Sequence, residues 1–563
     1  MTDYAEAPAA AVPLDEETDA GHPRKWIILA VVDLGMFMAV LDTTIVNIAV
    51  PAILADLETT ISHVSWVLNA YNLGLAVFFL SFGRLADRFG HRLIFALGVI
   101  FFSLFSLACG LAPGIGWLIA FRVGQSISAA AMIPVSLIIL MSAFPRRQHG
   151  IATALWGVII SLAAAVGPSL GGFLVEYASW QWIFFVNVPV GALALIGTAI
   201  VVPEYRARLS QATMDVAGIV ISGLGFFALT LGLIQGNSWG WSSGRVLALI
   251  ISALVLLTIF ALWEWRSSSP MLDLRLFRIR SFSAANAAMF FVGATFGGAL
   301  FLIVIFLVNV LGYPELQAAV IITPMPVTAL VLAPISGKLL DRIGPRPLAV
   351  FGGICFATSL LLLSQLGGTT TLGQVIWRLL ILGAGFAFCM PTLTAAAMGS
   401  LPLQSRGIGS GAINTSRQLG LVLGVAISVA VFASTVTGAV NVATKEATSY
   451  VNAQSQIPAP VRQQIVTSIE KTAAANKGTA KGPSGASSVL GELPPAPAGS
   501  TEQEQQKELG THLSALFRDN VADAFHWPFR ASAICAFLSI PFSLLTGRRL
   551  GEHRGQESGA KHG

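Results

Sequence analysis

Charge is scarce in this chain of 563 residues: Asp, Glu, Lys and Arg make up 11% of it, whereas apolar residues make up 55%. A soluble globular protein carries about 25% charged residues, so this chain cannot cover itself with an ordinary hydrated surface. Cysteine is scarce too, and the four cysteines lie far apart in apolar runs, at Cys109, Cys355, Cys389 and Cys535. Without a CxxC pair they are interpreted as core residues, which excludes a disulfide framework and a cysteine metal site.

Motifs for nucleotide-driven or metal-driven chemistry are also missing from the sequence. It has no phosphate-binding loop, which argues against direct drive by ATP. The eight histidines lie outside the deep parts of the apolar runs, which argues against a histidine proton relay or an intramembrane zinc site. We therefore expect no enzyme activity, no metal and no cofactor. The net charge of +5 follows from membrane topology, so no nucleic-acid partner is expected either.

Long apolar runs dominate what is present. A helix needs about 20 apolar residues to cross the hydrocarbon core of a membrane. On this template the chain has fourteen predicted spans, at 26–51, 62–83, 93–112, 115–142, 150–175, 182–202, 215–235, 245–264, 283–310, 315–337, 347–366, 374–398, 407–436 and 527–546. The sequence therefore predicts an all-α, multi-pass membrane protein in contact with membrane lipids.

Basic residues are concentrated in every second loop between the predicted spans, and therefore on one side of the membrane. Arginines follow spans two, four and six, whereas short loops on the other side, such as 53–61 and 176–181, contain no Lys or Arg. The positive-inside rule then places both terminal tails, 1–25 and 547–563, in the cytoplasm of a cell whose inner or plasma membrane holds the protein. No cleavable signal peptide is expected, because residues 1–25 lack an apolar core.

One long segment, 437–526, falls on the outer side and is rich in Ala, Ser, Gln and Pro. We expect helical patches near 459–475 and 503–524, flanking a disordered centre. Such a segment is either a solvated spacer, a cap over the exit or a docking site for an extracytoplasmic partner.

A ten-residue pattern occurs twice, between spans two and three and between spans ten and eleven. The positions that recur without a gap include Gly83, Asp87, Arg88, Gly90 and Arg92, which return as Gly337, Asp341, Arg342, Gly344 and Arg346. The repeat indicates two related six-helix bundles, 26–202 and 282–546, with two extra helices and their linkers inserted at 203–281. Parallel repeats of this kind are a transporter architecture with the substrate path at their interface.

Several long motifs in order then carry a family resemblance. Leu41–Pro51 resembles a first-span motif and Gly83–Arg92 a signature gate, whereas Trp182–Gly191 and Pro270–Phe282 are typical of one branch. The fifth span adds Gly157, Gly167, Pro168, Gly171 and Gly172. The chain resembles the major facilitator superfamily, in its fourteen-helix drug:proton antiporter family of multidrug efflux transporters.

The resemblance implies alternating access driven by a proton gradient, with hydrophobic or cationic small molecules exported and antibiotic resistance as a result. It also implies that Gly83–Arg92 forms a cytoplasmic gate and that the fifth-span motif seals the outer side. Two alternatives stay open: a dedicated exporter of one endogenous metabolite or lipid-like molecule, and a non-transporting membrane scaffold or receptor.

Ionisable residues inside spans are costly and are functional candidates by default. Asp33 and Asp42 lie in span one and Arg122 in span four, and we take them as the proton-coupling candidates. Asp42 leads, because a desolvated carboxyl can take up a proton near neutral pH; its alternative is a structural partner that anchors span one. Asp33 lies about half a helical rotation away from Asp42, so the two should not form one dyad.

The second half contains Arg378 and Arg417 within spans but no deep acidic residue. Several polar side chains either line the substrate path or hydrogen-bond between helices, with neither reading preferred. They are Asn47, Asn69, Tyr71, Asn72, Asn414 and Gln418.

Overall fold

The computed structural model of the protein describes residues 12–13, 21–59, 61–206, 215–267, 272, 274–402, 405–454, 459–475 and 501–547. These residues form helices, together with a two-residue parallel pairing of β1 (Val12–Pro13) with β2 (Tyr205–Arg206). Within the described residues fourteen segments are long and apolar enough to cross a membrane, which confirms the predicted spans. Helices suit this environment, because a backbone in lipid must satisfy its hydrogen bonds internally.

The first bundle and the inserted pair run in the predicted order. The first bundle consists of α1 (Lys25–Asp56), α2 (Ile61–Phe89), α3 (His91–Gly110), α4 (Ile115–Ala143), α5 (His149–Tyr177), α6 (Trp182–Phe185) and α7 (Asn187–Val201), with a 3-10 turn at Arg146–Gln148. The inserted pair is α8 (Val216–Trp239) and α9 (Gly244–Arg266), followed by a 3-10 turn at Leu274–Arg278.

The second bundle repeats the arrangement, with one span broken in two. It consists of α10 (Arg280–Asn309), α11 (Glu315–Ile322), α12 (Pro324–Ile343), α13 (Pro345–Leu363), α14 (Leu372–Gly399), α15 (Arg406–Ala453) and α18 (His526–Leu544). Two further helices, α16 (Ala459–Ala475) and α17 (Thr501–Asp523), lie in the long segment between α15 and α18. The residue boundaries of the two bundles, 26–202 and 282–546, stay a prediction.

Helices of the two bundles meet along two seams. In the first bundle α1 packs on α4, α5 and α7, and in the second α10 packs on α14, α15 and α18. Between the bundles, α2 packs on α15, and α5 packs on α12 and α14. The inserted helix α8 contacts both α2 and α15, so it covers one seam, while α9 directs apolar side chains such as Leu254 and Leu262 outward.

Both ends of the described chain lie on one face of the helical array. The backbone N–H of His22 donates to the carbonyl of Ala143 at 2.9 Å, and that of Gly547 donates to the Ser281 hydroxyl at 3.2 Å. The first contact joins the beginning of α1 to the end of α4, and the second joins the end of α18 to the beginning of α10. We call this the terminal face, and the other side the outer face.

The position of the repeated ten-residue segments between predicted spans had suggested loops. In the structure they are helical. Helix α2 continues through Gly83 to Phe89, and α12 continues through Gly337 to Ile343. The reversals are single residues, Gly90 with φ of +108° and Gly344 with φ of +80°. A positive φ suits glycine, so the chain turns at these positions without giving up the hydrogen bonds of the preceding helical turns.

Helix α15 also runs further than predicted, to Ala453 instead of residue 436. Its 48 residues span roughly 72 Å at about 1.5 Å per residue, more than twice the ~30 Å hydrocarbon core. The predicted helical patches of the outer segment are confirmed as α16 and α17. The predicted disordered centre lies outside the described residues.

The last turns of α15 form a small outer bundle with α16 and α17. Its core consists of Ala447, Val451, Ile465, Ile469, Leu509 and Leu513. Tyr450 stacks on His512 with ring centroids 3.9 Å apart, and the Asn520 amide donates to Glu446 at 3.1 Å. The outer segment is therefore a packed module on an extension of the second bundle, not only a spacer.

Replacing Ile465 with aspartate is expected to destabilise this outer bundle by more than about 2 kcal/mol, because it puts an unpaired charge into a small apolar core. Limited proteolysis of the purified protein should then cut within α16 and α17, while the melting temperature of the membrane helices stays close to that of wild type. Gln464→Asp, one position earlier and exposed, is the matched control and should remain resistant. Equal resistance of both variants would contradict a packed outer bundle.

Candidate functional site

A fully buried ion pair lies in the middle of the first bundle. The Arg122 guanidinium on α4 donates through Nη1 to Oδ2 of Asp42 on α1, and neither side chain reaches the surface. The other oxygen of Asp42 accepts from the side-chain amides of Gln125 at 3.0 Å and Asn187 at 3.3 Å. One oxygen of the carboxylate thus has a cationic donor, and the other has two neutral amide donors.

The same guanidinium is held on its remaining sides. Its Nε donates to the Val67 carbonyl at 3.1 Å, and the group lies over the Tyr71 ring at 4.2 Å from the centroid. Nη1 also donates to Gln125 Oε1 at 2.8 Å. Arg122 therefore ties α4 to α1 and α2. Removing one member of such a buried pair is strongly destabilising, because the other charge is left uncompensated.

Two polar residues extend this network to the other helices of the bundle. Asn187 on α7 donates to Ser106 on α3 at 3.0 Å, and Ser106 donates to the Phe184 carbonyl at 2.8 Å. Gln125, Asn187 and Ser106 were not among the predicted site residues. The available signal was their polarity within apolar runs, which marks a buried network without saying which carboxylate it serves.

Asp33 is the opposite case to Asp42. It is 2% exposed, and neither carboxyl oxygen has a hydrogen-bond partner among the described residues. At about 100° per residue it points away from Asp42 across α1, so the two carboxyls form no dyad, as predicted. It lies eight residues from the beginning of α1, in the half of the membrane next to the terminal face.

The first gate segment contacts the second bundle directly. Asp87, buried at the end of α2, lies against the first turn of α15, where a Cβ added to Gly407 would collide with both of its carboxyl oxygens. The positive end of a helix dipole is a favourable position for a carboxylate. Close approach depends on glycine: a Cβ on Gly83 would collide with the Gly407 carbonyl, and one on Gly411 would lie 3.0 Å from the Leu80 Cα.

The second gate segment makes the equivalent contact with the first bundle. Asp341 at the end of α12 accepts from the backbone N–H of Gly150 at 3.1 Å, in the first turn of α5. A Cβ on Gly337 would lie 2.8 Å from the Ala154 Cβ and 2.9 Å from the Gly150 carbonyl. Each repeat therefore seats its aspartate on the N-terminus of a helix in the other bundle, and the pair joins the bundles at the terminal face.

The predicted gate arginines lie in different surroundings. Arg92 donates to the Ala199 carbonyl at 2.7 Å, within the first bundle. Arg88 and Arg342 are exposed and Arg346 is half-buried. A residue that the sequence did not single out, His91, is fully buried and links Asp87 at 3.2 Å to the Tyr205 carbonyl at 2.8 Å.

The fifth-span motif packs α5 on α1. A Cβ on Gly167 would collide with the Thr44 side chain, and one on Gly171 would lie 2.9 Å from the Ile45 carbonyl. Gly172 is buried as well, and α5 continues without interruption through the Gly-Pro pair to Tyr177. The side chain of Pro168 lies outside what the structure describes. Gly157 instead faces Pro391 of α14 at 3.9 Å, across the seam between the bundles.

The candidate path residues divide into two groups. Tyr71 is buried and its hydroxyl donates to the Ala39 carbonyl at 2.9 Å, which is an interhelical hydrogen bond. Gln418 on α15 donates to Asn72 on α2 at 3.4 Å, a contact between the two bundles. Asn414 bonds within its own helix and Asn69 is half-buried, while the side chain of Asn47 lies outside the described set.

Fourteen spans, two helical bundles and an aspartate-seated contact between them define a multi-pass membrane transporter. The model of the Major Facilitator Superfamily matches residues 32–425, so the chain belongs to that superfamily.

Among curated relatives, the tetracenomycin C resistance and export protein of Streptomyces glaucescens is 35% identical over 413 residues, covering 73% of this chain and 77% of the relative. The multidrug resistance protein Stp of Mycobacterium tuberculosis is 34% identical over 447 residues, covering 79% and 81%. These relatives confirm the resemblance to drug exporters. Among solved structures, the proton:xylose symporter XylE shares the fold, with a TM-score of 0.52 and 15% identity over 71% of this chain and 87% of that one.

Proposed function

We propose that this protein is a proton-coupled exporter of small, largely apolar molecules, not an enzyme, and that it exchanges protons for substrate by alternating access. The terminal face is assigned to the cytoplasm, because the arginine-containing loops lie there and the short loops on the outer face lack Lys and Arg. Export by drug-exporting relatives supports the direction of transport. A proton gradient supplies the energy in this proposal, with no cofactor.

The alternating step is supported by the two gate contacts. Helix N-termini and glycine surfaces hold the bundles together at Asp87 and at Asp341, and Asp341 adds one hydrogen bond. Such contacts are closely packed, and the ion pairs found in the described ranges do not join the two bundles, so the contacts can separate at a modest cost in free energy. The Asp42–Arg122 network lies wholly inside one bundle and can stay intact while the bundles move.

Asp33 carries the proton-coupling part of the proposal. A carboxylate buried without a partner is costly, so this group stays neutral while it is shielded. Opening of the terminal face would give it access to water and allow it to lose its proton. Asp42, by contrast, already has an ion-pair partner and two amide donors. A direct role for Asp42 in proton transfer stays a prediction and is tested alongside.

Asp33→Asn is expected to lower the proton-driven accumulation of a transported fluorescent amphiphile in inverted vesicles at least tenfold. Its free energy of unfolding should change by less than about 1 kcal/mol, since no hydrogen bond or ion pair is lost. Exchange of the probe at equal concentrations on both sides should persist, because that reaction needs no net proton movement.

Asp42→Asn provides the comparison, since it should lower both transport and stability. Unchanged proton-driven accumulation in Asp33→Asn would assign the proton to another group. If no probe moves protons in wild type, then antiport itself is the wrong function.

A further inference from the structure

Arg417, in the second bundle, has no counter-ion among the described residues. Arg417 lies in the middle of the membrane-spanning part of α15, is half-buried, and its Nε is shielded from solvent without a hydrogen-bond partner. The ion pairs found in the described ranges do not include it. Arg378 differs, because its guanidinium donates to the Gln374 carbonyl at 2.9 Å and stacks on Trp377. A charge inside a span is costly and points to a function.

Two sides of α15 are occupied by neighbouring helices. Gln418 contacts Asn72 of α2, and Gly411 packs against that same helix. On another side, Gly420 and Gly424 pack against the backbone of α10. These contacts leave the sector between α10 and α2 to be assigned.

A hydrogen bond of Ser410 shows which helix faces this sector of α15. Its hydroxyl donates at 2.8 Å to the carbonyl of Pro134, in α4 of the first bundle. Arg417 lies seven residues, or about two helical turns, further along and so on the same side. It therefore projects between α10 of the second bundle and α4 of the first. In parallel-repeat transporters the substrate path lies between the bundles.

The charge around this position is not balanced by acidic groups. Between residues 282 and 436 the sequence contains two acids, Glu315 and Asp341, and both lie at helix ends. In the first bundle Asp42 is neutralised by Arg122, and Asp33 is shielded without a partner. The path between the bundles therefore carries an uncompensated positive charge, which repels a cationic substrate.

We propose that Arg417 binds the anionic group of the transported molecule, and that the substrates are amphipathic organic acids with a carboxylate or phenolate on an apolar body. The inference rests on the proposed export function and names its substrate class. Guanidinium and carboxylate match in a two-pronged geometry that favours Arg at such sites.

An apolar surface for the body of such an acid lies at the same depth. Gly293 of α10 packs against the Arg417 carbonyl, and Phe296 follows one turn along. The Phe296 ring packs against Phe386 of α14 with centroids 4.9 Å apart. A cation next to aromatic side chains matches a flat acid better than a neutral or cationic compound.

The test uses three related fluorescent probes with the full-length protein: 1-pyrenebutyrate, its methyl ester and 1-pyrenebutyl-trimethylammonium. Binding to purified protein in zwitterionic lipid is measured first, because it requires no proton coupling. Wild type should bind pyrenebutyrate at least tenfold more tightly than the ester, and the ammonium compound most weakly. Arg417→Gln should weaken pyrenebutyrate binding about tenfold to a hundredfold and leave ester binding within about twofold, as expected for loss of one charge-assisted contact. Arg417→Lys should restore part of the preference.

Arg378→Gln is the matched control and should keep the preference for the acid. Equal weakening of acid and ester in Arg417→Gln would show a structural role and overturn the proposal, as would tightest binding of the ammonium probe by wild type. Loss of the preference in liposomes with anionic lipid, but not in zwitterionic ones, would assign Arg417 to a lipid headgroup instead. Selective binding without substrate-driven proton movement would support the anion site while contradicting the proposed antiport.

Discussion

Replacement of Arg122 by alanine is expected to lower the free energy of unfolding by about 3–5 kcal/mol, because Asp42 is left buried without its counter-ion. Transport should fall to background, since the same guanidinium also holds the Val67 carbonyl and the Tyr71 ring. Thermal unfolding of the purified protein in detergent, followed by intrinsic fluorescence, measures the loss of stability. Accumulation of a fluorescent probe in inverted vesicles measures transport.

Two further variants separate charge from packing. The double variant Asp42→Asn/Arg122→Gln removes both charges and should recover part of the lost stability, because no uncompensated ion remains buried. Arg378→Ala, at a guanidinium outside the ion pairs of the described residues, leaves no opposite charge unpaired and should cost less than Arg122→Ala. A double variant that is less stable than Arg122→Ala would contradict the view that the buried charge dominates the effect.

Gly83→Val is expected to abolish transport by forcing the bundles apart at the terminal face. A side chain at this position meets the carbonyl of Gly407, part of a backbone that cannot move aside alone. We expect the α2–α15 contact to widen by about 2 Å, the difference between small-residue and ordinary helix pairs. Spin labels at Phe89→Cys and Pro402→Cys, in a cysteine-free background, would report this distance by double electron–electron resonance.

The controls for this variant exist within the chain. Gly337→Val should act in the same way at the other seam, since its Cβ would press on Ala154 and Gly150. At Gly116 an added Cβ meets nothing within 4 Å, so Gly116→Val should transport normally. Wild-type transport by Gly83→Val with an unchanged label distance would show that close contact at this seam is dispensable.

The helical spans could be predicted because their signal is local. Hydropathy over about 20 residues identifies each crossing, and the repeat of Gly83–Arg92 at Gly337–Arg346 showed that both segments serve one purpose. The sequence did not show that these segments are helical up to Gly90 and Gly344. Glycine marks a turn, but its backbone angle depends on how the following helix packs.

The candidate site was predicted in part. Asp33, Asp42 and Arg122 stood out as charges in apolar runs, yet their pairing depends on which helices meet. Asp42 ranked first in the sequence, whereas the structure surrounds it with donors from α4 and α7 and leaves Asp33 without any. Such contacts join residues 80 or more positions apart, and no spacing rule on one chain reports them.

The length of α15 was missed although a signal was present. Beyond residue 436 polar residues increase, which suggested that the helix ends at the membrane surface. However, Val440, Ala443, Ala447 and Val451 keep the three-to-four-residue spacing of a buried helical stripe, and the outer bundle covers the last two of them. The end of high hydropathy marks where the chain leaves the membrane, whereas the periodicity of apolar residues marks how far the helix continues.

Because α15 is one continuous helix, a rigid tilt moves both of its ends at once. One end contacts Asp87 through Gly407, the middle carries Arg417, and the far end packs in the outer bundle. A tilt of about 10° around its midpoint would swing each end by roughly 6 Å, given about 1.5 Å of length per residue. A fluorophore on the outer bundle would therefore follow opening and closing at the opposite side of the membrane, in intact cells and without touching the transport path.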